Sequence, residues 1–185
     1  MQNFFGRGEQ LEKLNALWRK KTSSFVVIAG RRRIGKSTLV EEFAARSKCT
    51  FIELVGLAPD EEMDEISWMG KYDTSFASFL KTAWDTQFSK HDKLIFIVAG
   101  SVSAWIGKNI QNSKGFVGRI SLDFSLGELA PAECLGFWGK KAGRTSTRDI
   151  LDVLSVTGGI PKYLNEIDPA LPPDENIRRL CFDPD

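Results

Sequence analysis

The sequence predicts an α/β protein, a mostly parallel sheet layered with helices, and three observations carry that expectation. The apolar run Ser24-Phe25-Val26-Val27-Ile28-Ala29 leads through a glycine-bounded turn into the helix-like stretch Leu39-Val40-Glu41-Glu42-Phe43-Ala44-Ala45. Leu94-Ile95-Phe96-Ile97-Val98-Ala99 is a second continuous apolar run, the pattern of a strand buried on both faces. Ile120, Leu122, Phe124 and Leu126 alternate with Ser121, Asp123 and Ser125, the period-two pattern of a further strand.

The remaining elements follow in order. Between Glu9 and Lys20, Leu11, Leu14, Leu17 and Trp18 fall on one face of a helix, and Arg19, Lys20 and Lys21 suit its negative end. The first strand, Phe25 to Ala29, is followed by a helix to about Ser47. Thr50 to Leu57 reads as a second strand. Phe76, Phe79, Leu80, Ala83 and Trp84 share a stripe, so Ser75 to Phe88 is expected to be a helix with an apolar face. Pro131 to Gly139 reads as a short helix opened by proline in its first turn. Asp149 to Thr157 is a further helix, stopped by Gly158-Gly159, with Pro161 opening the next segment. Leu171-Pro172-Pro173-Asp174 is a loop, and Asn176 to Leu180 is expected to form a helical turn. The division expected is a core over 1–140 and a small helical segment over 141–185, the start of a lid or winged-helix region. Nothing in the tail after Leu171 closes a core, so the segment reads as truncated.

Composition bounds the function. With 42% hydrophobic and 26% charged residues among 185, the chain is ordinary for a soluble globular protein. A formal net charge of +1 predicts neither a nucleic-acid nor a membrane partner. Cys49, Cys134 and Cys181 are isolated and lack metal-ligand spacing, and His91 is the single histidine. A zinc site or a histidine-based triad therefore has little to draw on. No signal peptide or membrane-length apolar run is present, so a cytoplasmic location with reduced thiols is expected.

Gly30-Arg31-Arg32-Arg33-Ile34-Gly35-Lys36-Ser37-Thr38 contains G-x-x-x-x-G-K-[ST] between a strand and a helix. The glycines permit a tight turn whose N–H groups converge on phosphate oxygens, and the helix start adds about half a positive charge. Lys36 would reach the β and γ phosphates. Ser37 would join the shell of a magnesium ion, and Gly30, Arg33, Gly35 and Thr38 complete the candidate loop. Hydrolysis also needs carboxylates. Within Met63-Asp64-Glu65-Ile66-Ser67-Trp68-Met69, Asp64 is the candidate magnesium ligand and Glu65 the candidate general base. Such acids end a buried strand, yet Pro59-Asp60-Glu61-Glu62 precedes them. Only Ala58 to Met63 separate Asp64 from the preceding strand, whereas a parallel crossover needs about ten to twelve residues. Either a helix and a strand are missing before Asp64, which is the favoured expectation, or Asp64-Glu65 is a solvated acidic turn and hydrolysis is poor.

These motifs together resemble the P-loop ATPases of archaea and bacteria related to the AAA+ and STAND groups. The resemblance spans most of the chain and implies the P-loop NTPase three-layer αβα fold. Phe4-Phe5-Gly6-Arg7-Gly8-Glu9-Gln10-Leu11 is similar to the family's F-x-G-R-E-x-E-L box, with Gly8 and Gln10 replacing two expected acids. The resemblance makes Phe5, Gly6 and Arg7 candidates for the base side of the nucleotide. Asp64 to Met69 resembles the family's D-E-I-S-W-M. Ser101, in Ala99-Gly100-Ser101, falls where the family has a sensor of the γ-phosphate. Gly118-Arg119 resembles a G-R pair whose arginine responds to nucleotide or to a neighbouring subunit. Gly158-Gly159-Ile160-Pro161-Lys162-Tyr163-Leu164 is similar to a G-x-P element that closes over the base.

The function expected on these grounds is an ATP-binding, magnesium-dependent ATPase that acts as a slow switch, with Lys36, Glu65, Ser101 and Arg119 in the catalytic roles. The alternative is a nucleotide-dependent binding or regulatory module with little hydrolysis. A small-molecule kinase is weaker, because no arginine-bearing lid follows the core. A GTPase is weaker still, since N-K-x-D is absent. ATP and ADP are the expected ligands, with a protein partner or self-association open, and DNA only through regions outside this chain.

Overall fold

The computed structural model describes residues 4–52, 73, 75–100 and 104–183. Its contacts divide these into two compact units. The larger holds 9–32 and 36–126, and the smaller holds 4–8, 33–35 and 127–183.

In the larger unit, three described strands form a parallel sheet. They are β1 (Ser24–Gly30), β2 (Ile95–Gly100) and β3 (Ile120–Leu126), in the order β2-β1-β3. β1 is central and buried along its whole length, as its unbroken apolar run requires. It pairs in register from Ser24↔Ile95 to Ala29↔Gly100 on one side. On the other it runs from Val26↔Leu122 to Gly30↔Leu126, after an irregularity at Phe25/Val26. The three strands therefore end together at Gly30, Gly100 and Leu126, and ligands of open α/β sheets bind beyond such carboxyl ends.

β2 differs from expectation. Its run is as apolar as that of β1, but Ile95, Phe96 and Ile97 are only half-buried. Among the described strands β2 lies at an edge, paired with β1 alone. β3 alternates half-buried and exposed residues, as its period predicts.

Helices flank this sheet. α1 (Gly8–Lys20) buries Leu11, Leu14 and Leu17, and α2 (Lys36–Ser47) buries Leu39, Val40, Phe43 and Ala44. Trp18 of α1 meets Phe43 of α2 edge-on at 6.5 Å. α3 (Phe76–Thr86) presents Leu80 and Trp84 to a core built on Phe25, Val27 and Val98. Phe25 is its hub, with ring centroids of Trp84 and Phe96 at 5.2 Å and Phe116 at 5.7 Å. Because strand side chains alternate, Val26 and Ile28 serve the opposite, equally buried face. α4 (Ala104–Ile106) runs on as a π-turn over Gly107–Gln111 and adds Ile106 and Ile110 to the Phe25 core. The strand expected from Thr50 to Leu57 does not begin as one: Thr50, Phe51 and Ile52 are irregular, and the rest falls outside the described residues.

The smaller unit is helical: α5 (Pro131–Cys134), α6 (Thr147–Thr157), α7 (Pro161–Leu164) and α8 (Pro173–Cys181). The helix expected over Pro131 to Gly139 keeps α geometry only to Cys134, then tightens into 3-10 turns over Leu135–Lys141. Gly136 and Gly139 explain this, since glycine disfavours helix by about 1 kcal/mol per residue, and Gly139 adopts φ +52°. The core joins Leu129, Cys134, Trp138, Ile150, Val153, Leu164 and Ile167. Ser146 caps α6 through its hydroxyl, which accepts from the Asp149 N–H at 3.1 Å. Asn176 is 5% exposed and fully engaged. It accepts from the Asp168 N–H at 2.8 Å and donates to the carbonyls of Asp168 and Leu171 at 3.0 and 3.2 Å.

Candidate functional site: the loop from Gly30 to Thr38

The candidate loop begins where β1 ends, at Gly30, and finishes where α2 begins, at Lys36. The first N–H groups of α2, among them those of Ser37 and Thr38, have no partner within the helix. Ser37 is exposed and Thr38 half-buried. Arg33 adopts φ +66° and Gly35 φ +89°. Interspersed left-handed residues are a feature of backbone anion nests, in which successive N–H groups turn toward one side. For Gly35 that conformation costs nothing, while for Arg33 it costs about 1 kcal/mol.

Side chains fix the loop's carbonyls. The Lys36 ammonium donates to the Gly30 carbonyl at 2.8 Å and to the Arg31 carbonyl at 3.0 Å. Ile34 is 1% exposed and anchors the tip by its side chain. Arg31, Arg32 and Arg33 are exposed.

Within the smaller unit, Gly6, Arg7, Arg33–Gly35 and Pro161–Tyr163 come together. Arg7 is 6% exposed, and its Nη2 donates to the carbonyls of Ile34 at 3.2 Å and Gly127 at 2.6 Å. Its own N–H donates to Glu133 Oε1 at 2.9 Å, while Glu133 Oε2 accepts from the Ala130 N–H at 3.0 Å. Burial pushes the Arg7 guanidinium below its ordinary value, and the Glu133 charge pulls it back. Gly6 and Arg7 both have positive φ, +70° and +60°. A Cβ on Gly6 would sit 2.7 Å from Glu133 Oε1, so this stretch of the opening box is shaped by close packing. Pro161 is the first residue of α7, and a Cβ on Gly35 would meet its Cγ at 3.7 Å, an ordinary contact. Two residues further, the Tyr163 hydroxyl bonds Arg33 Nη1 at 3.1 Å, with the guanidinium carbon 5.8 Å from the ring centroid.

Arg119 belongs to the larger unit and grips Asp85, Nε and Nη2 donating to the two carboxylate oxygens at 2.7 and 2.8 Å; its Nη1 donates to the Gly115 carbonyl at 2.9 Å. These bonds hold the Asp85 carboxyl below the usual carboxylate range and raise Arg119. Asp64, Glu65 and Ser101 lie outside the described residues.

The sequence did not single out Glu133 or the Gly127 carbonyl, nor Tyr163 as a partner of Arg33. Glu133 carries a weak signal, an acid three residues after the position that precedes a helix, where it can reach back to a backbone N–H. Gly127 carries none, because a carbonyl contributes through its place in the fold and not through its residue type.

No family model matches the chain. Over 45 residues, 24% of this chain and 76% of the other protein, it is 36% identical to an uncharacterized ATP-binding protein from Methanocaldococcus jannaschii. With that identity over more than two thirds of the archaeal protein, the chain belongs to the same family.

Proposed function

We propose that this chain binds ATP through the loop Gly30 to Thr38 and works as a slow, switch-like ATPase with the P-loop NTPase three-layer fold, related to the AAA+ and STAND groups. The observation that carries the reading is G-x-x-x-x-G-K-S set between a wholly buried central parallel strand and a helix that starts at its lysine. The archaeal relative's description as ATP-binding supports adenine as the base. Backbone N–H groups of Gly35 to Thr38 receive phosphate oxygens, and Lys36 exchanges its carbonyl partners for the β and γ phosphates. Gly6 and Pro161 border the base side.

The exposed Ser37 hydroxyl at the helix start fits a magnesium ligand, with Asp64 as the second protein ligand. No cluster of three His, Cys, Asp or Glu suited to a metal occurs among the described residues. None is needed where phosphates supply most of the oxygens. Magnesium, when bound, neutralises charge on the β and γ oxygens. Glu65 orients the attacking water and accepts its proton, Ser101 reads the γ-phosphate, and Arg119 responds to nucleotide or to a neighbouring copy after leaving Asp85.

Hydrolysis and binding of ATP by the wild type, Lys36→Ala and Glu65→Gln test this reading. Lys36→Ala loses binding, while Glu65→Gln keeps binding and loses turnover. Equal turnover in all three sinks the ATPase, and a wild type that binds without turnover establishes the regulatory-module alternative.

A further inference from the structure

An anion nest needs its N–H groups turned inward, so something has to hold the carbonyls the other way. Lys36 does this for Gly30 and Arg31, but it must let go when its ammonium turns to phosphate. The Ile34 carbonyl is held differently. Its partner, Arg7, is 6% exposed and carries a second bond to the Gly127 carbonyl. Its own backbone sits in the left-handed region behind Gly6, with its N–H tied to Glu133. A guanidinium committed to two backbone carbonyls and shut away from solvent is poorly placed to read a base.

We propose that Arg7 is a positioning residue for the phosphate loop, holding the Ile34 carbonyl so that the Gly35 N–H is presented to phosphate. The peptide between Ile34 and Gly35 is trans and planar, so its C=O and N–H point in opposite directions. Fixing the oxygen on Arg7 therefore directs the Gly35 N–H away from Arg7. Gly35, at φ +89°, is the freest hinge in the loop, and its two flanking peptides would otherwise rotate readily. Glu133 balances the buried charge without consuming the donors that Arg7 spends on the two carbonyls, because its oxygens accept from the N–H groups of Arg7 and Ala130. The role rests on the loop being the phosphate site of the proposed function.

The test measures affinity of the full chain for inorganic tripolyphosphate, ADP and adenosine in the wild type, Arg7→Met and Arg7→Lys. The Gly35 amide is followed by NMR during the tripolyphosphate titration. Arg7→Met is expected to weaken tripolyphosphate and ADP by the same factor, about tenfold, equivalent to one lost charge-assisted contact, and to leave adenosine unchanged. The Gly35 amide shift induced by tripolyphosphate shrinks in parallel, and Arg7→Lys, which keeps a buried donor, restores part of both. If Arg7→Met does not fold, the ratio of ADP to adenosine affinity in Arg7→Lys gives the same reading. Unchanged phosphate affinity overturns the role, and so does an equal loss for adenosine and ADP with tripolyphosphate unaffected, which makes Arg7 a base contact. A wild type that binds no phosphate ligand removes the proposed function and this role with it. Normal wild-type binding with unaltered variants removes only the role.

Discussion

Gly159 shows how one residue can be fixed by backbone packing alone. Leu129 donates to its carbonyl at 2.8 Å, and a Cβ at this position would lie 2.2 Å from the Leu129 carbonyl oxygen. No side-chain rotation relieves a clash with backbone. Gly159→Ala is expected to destabilise the chain by about 2–3 kcal/mol, the range of an overpacked core, measured by urea unfolding. Gly8→Ala, whose Cβ meets nothing within 4 Å, is the neutral or mildly stabilising control. In the sequence, Gly158-Gly159 reads as a helix stop or, by resemblance, as the start of a G-x-P element; the contact that demands the second glycine lies thirty residues away and leaves no local trace. Cys134 makes the same point for chemistry. It is buried, and desolvation first, then the Glu133 charge, push its thiol up, while Cys181 is exposed. A raised thiol value favours the folded state below the ordinary value and gives that contribution up as pH rises through the folded one. A thiol reagent at neutral pH should therefore modify Cys181 rapidly and Cys134 only after denaturation. Rapid labelling of Cys134 in the folded chain would contradict its burial.

Elements were legible where a single period dominates. The 3.6-residue stripes of α1 and α3 and the alternation in β3 appear within a residue or two of their expected bounds. β2 was legible as a strand but not as the edge it forms among the described strands, because hydropathy reports what a strand can bury and not which neighbours it has. α5 is shorter than its sequence suggests, since two glycines weaken a helix that Pro131 starts well. Ion pairs between elements are still less visible. Arg119, one residue before β3, holds Asp85, near the end of α3, through two parallel hydrogen bonds. The depressed Asp85 carboxyl contributes stability that is full above the ordinary carboxylate value, about pH 4, and is lost as pH falls through its lower folded value. Acid unfolding should then be less steep in Asp85→Asn than in the wild type below about pH 4, with the two converging once the wild-type carboxyl is protonated. Parallel curves would show that the pair contributes nothing in solution, the usual fate of exposed ion pairs. Arg119→Lys should behave like Asp85→Asn, because an ammonium cannot reproduce the fork.

At the scale of the whole molecule, the candidate site draws on chain segments far apart in sequence, and this sets what its loading does to stability. The loop leaves the larger unit after Arg32, contributes Arg33–Gly35 to the smaller one, and returns at Lys36. Phosphate-loop motifs are visible in sequence because each of their residue types has a separate task, but the partners that shape the candidate loop here, Arg7 and Gly127, lie 27 and 93 residues from Ile34. A ligand that binds only the loop's folded conformation stabilises every segment that conformation requires. At a free concentration of about 100 times its dissociation constant, it adds about 2.7 kcal/mol to the unfolding free energy. Magnesium–ATP should therefore raise the wild-type melting temperature by several degrees, on the order of 2–4 °C per kcal/mol for a chain of this length. Lys36→Ala should gain nothing with ligand, since on the proposed function its phosphate contacts dominate binding. A gain in Lys36→Ala equal to that of the wild type would place the nucleotide somewhere other than this loop. A wild type that gains with ADP but not with adenosine would locate the stabilising contacts on the phosphates.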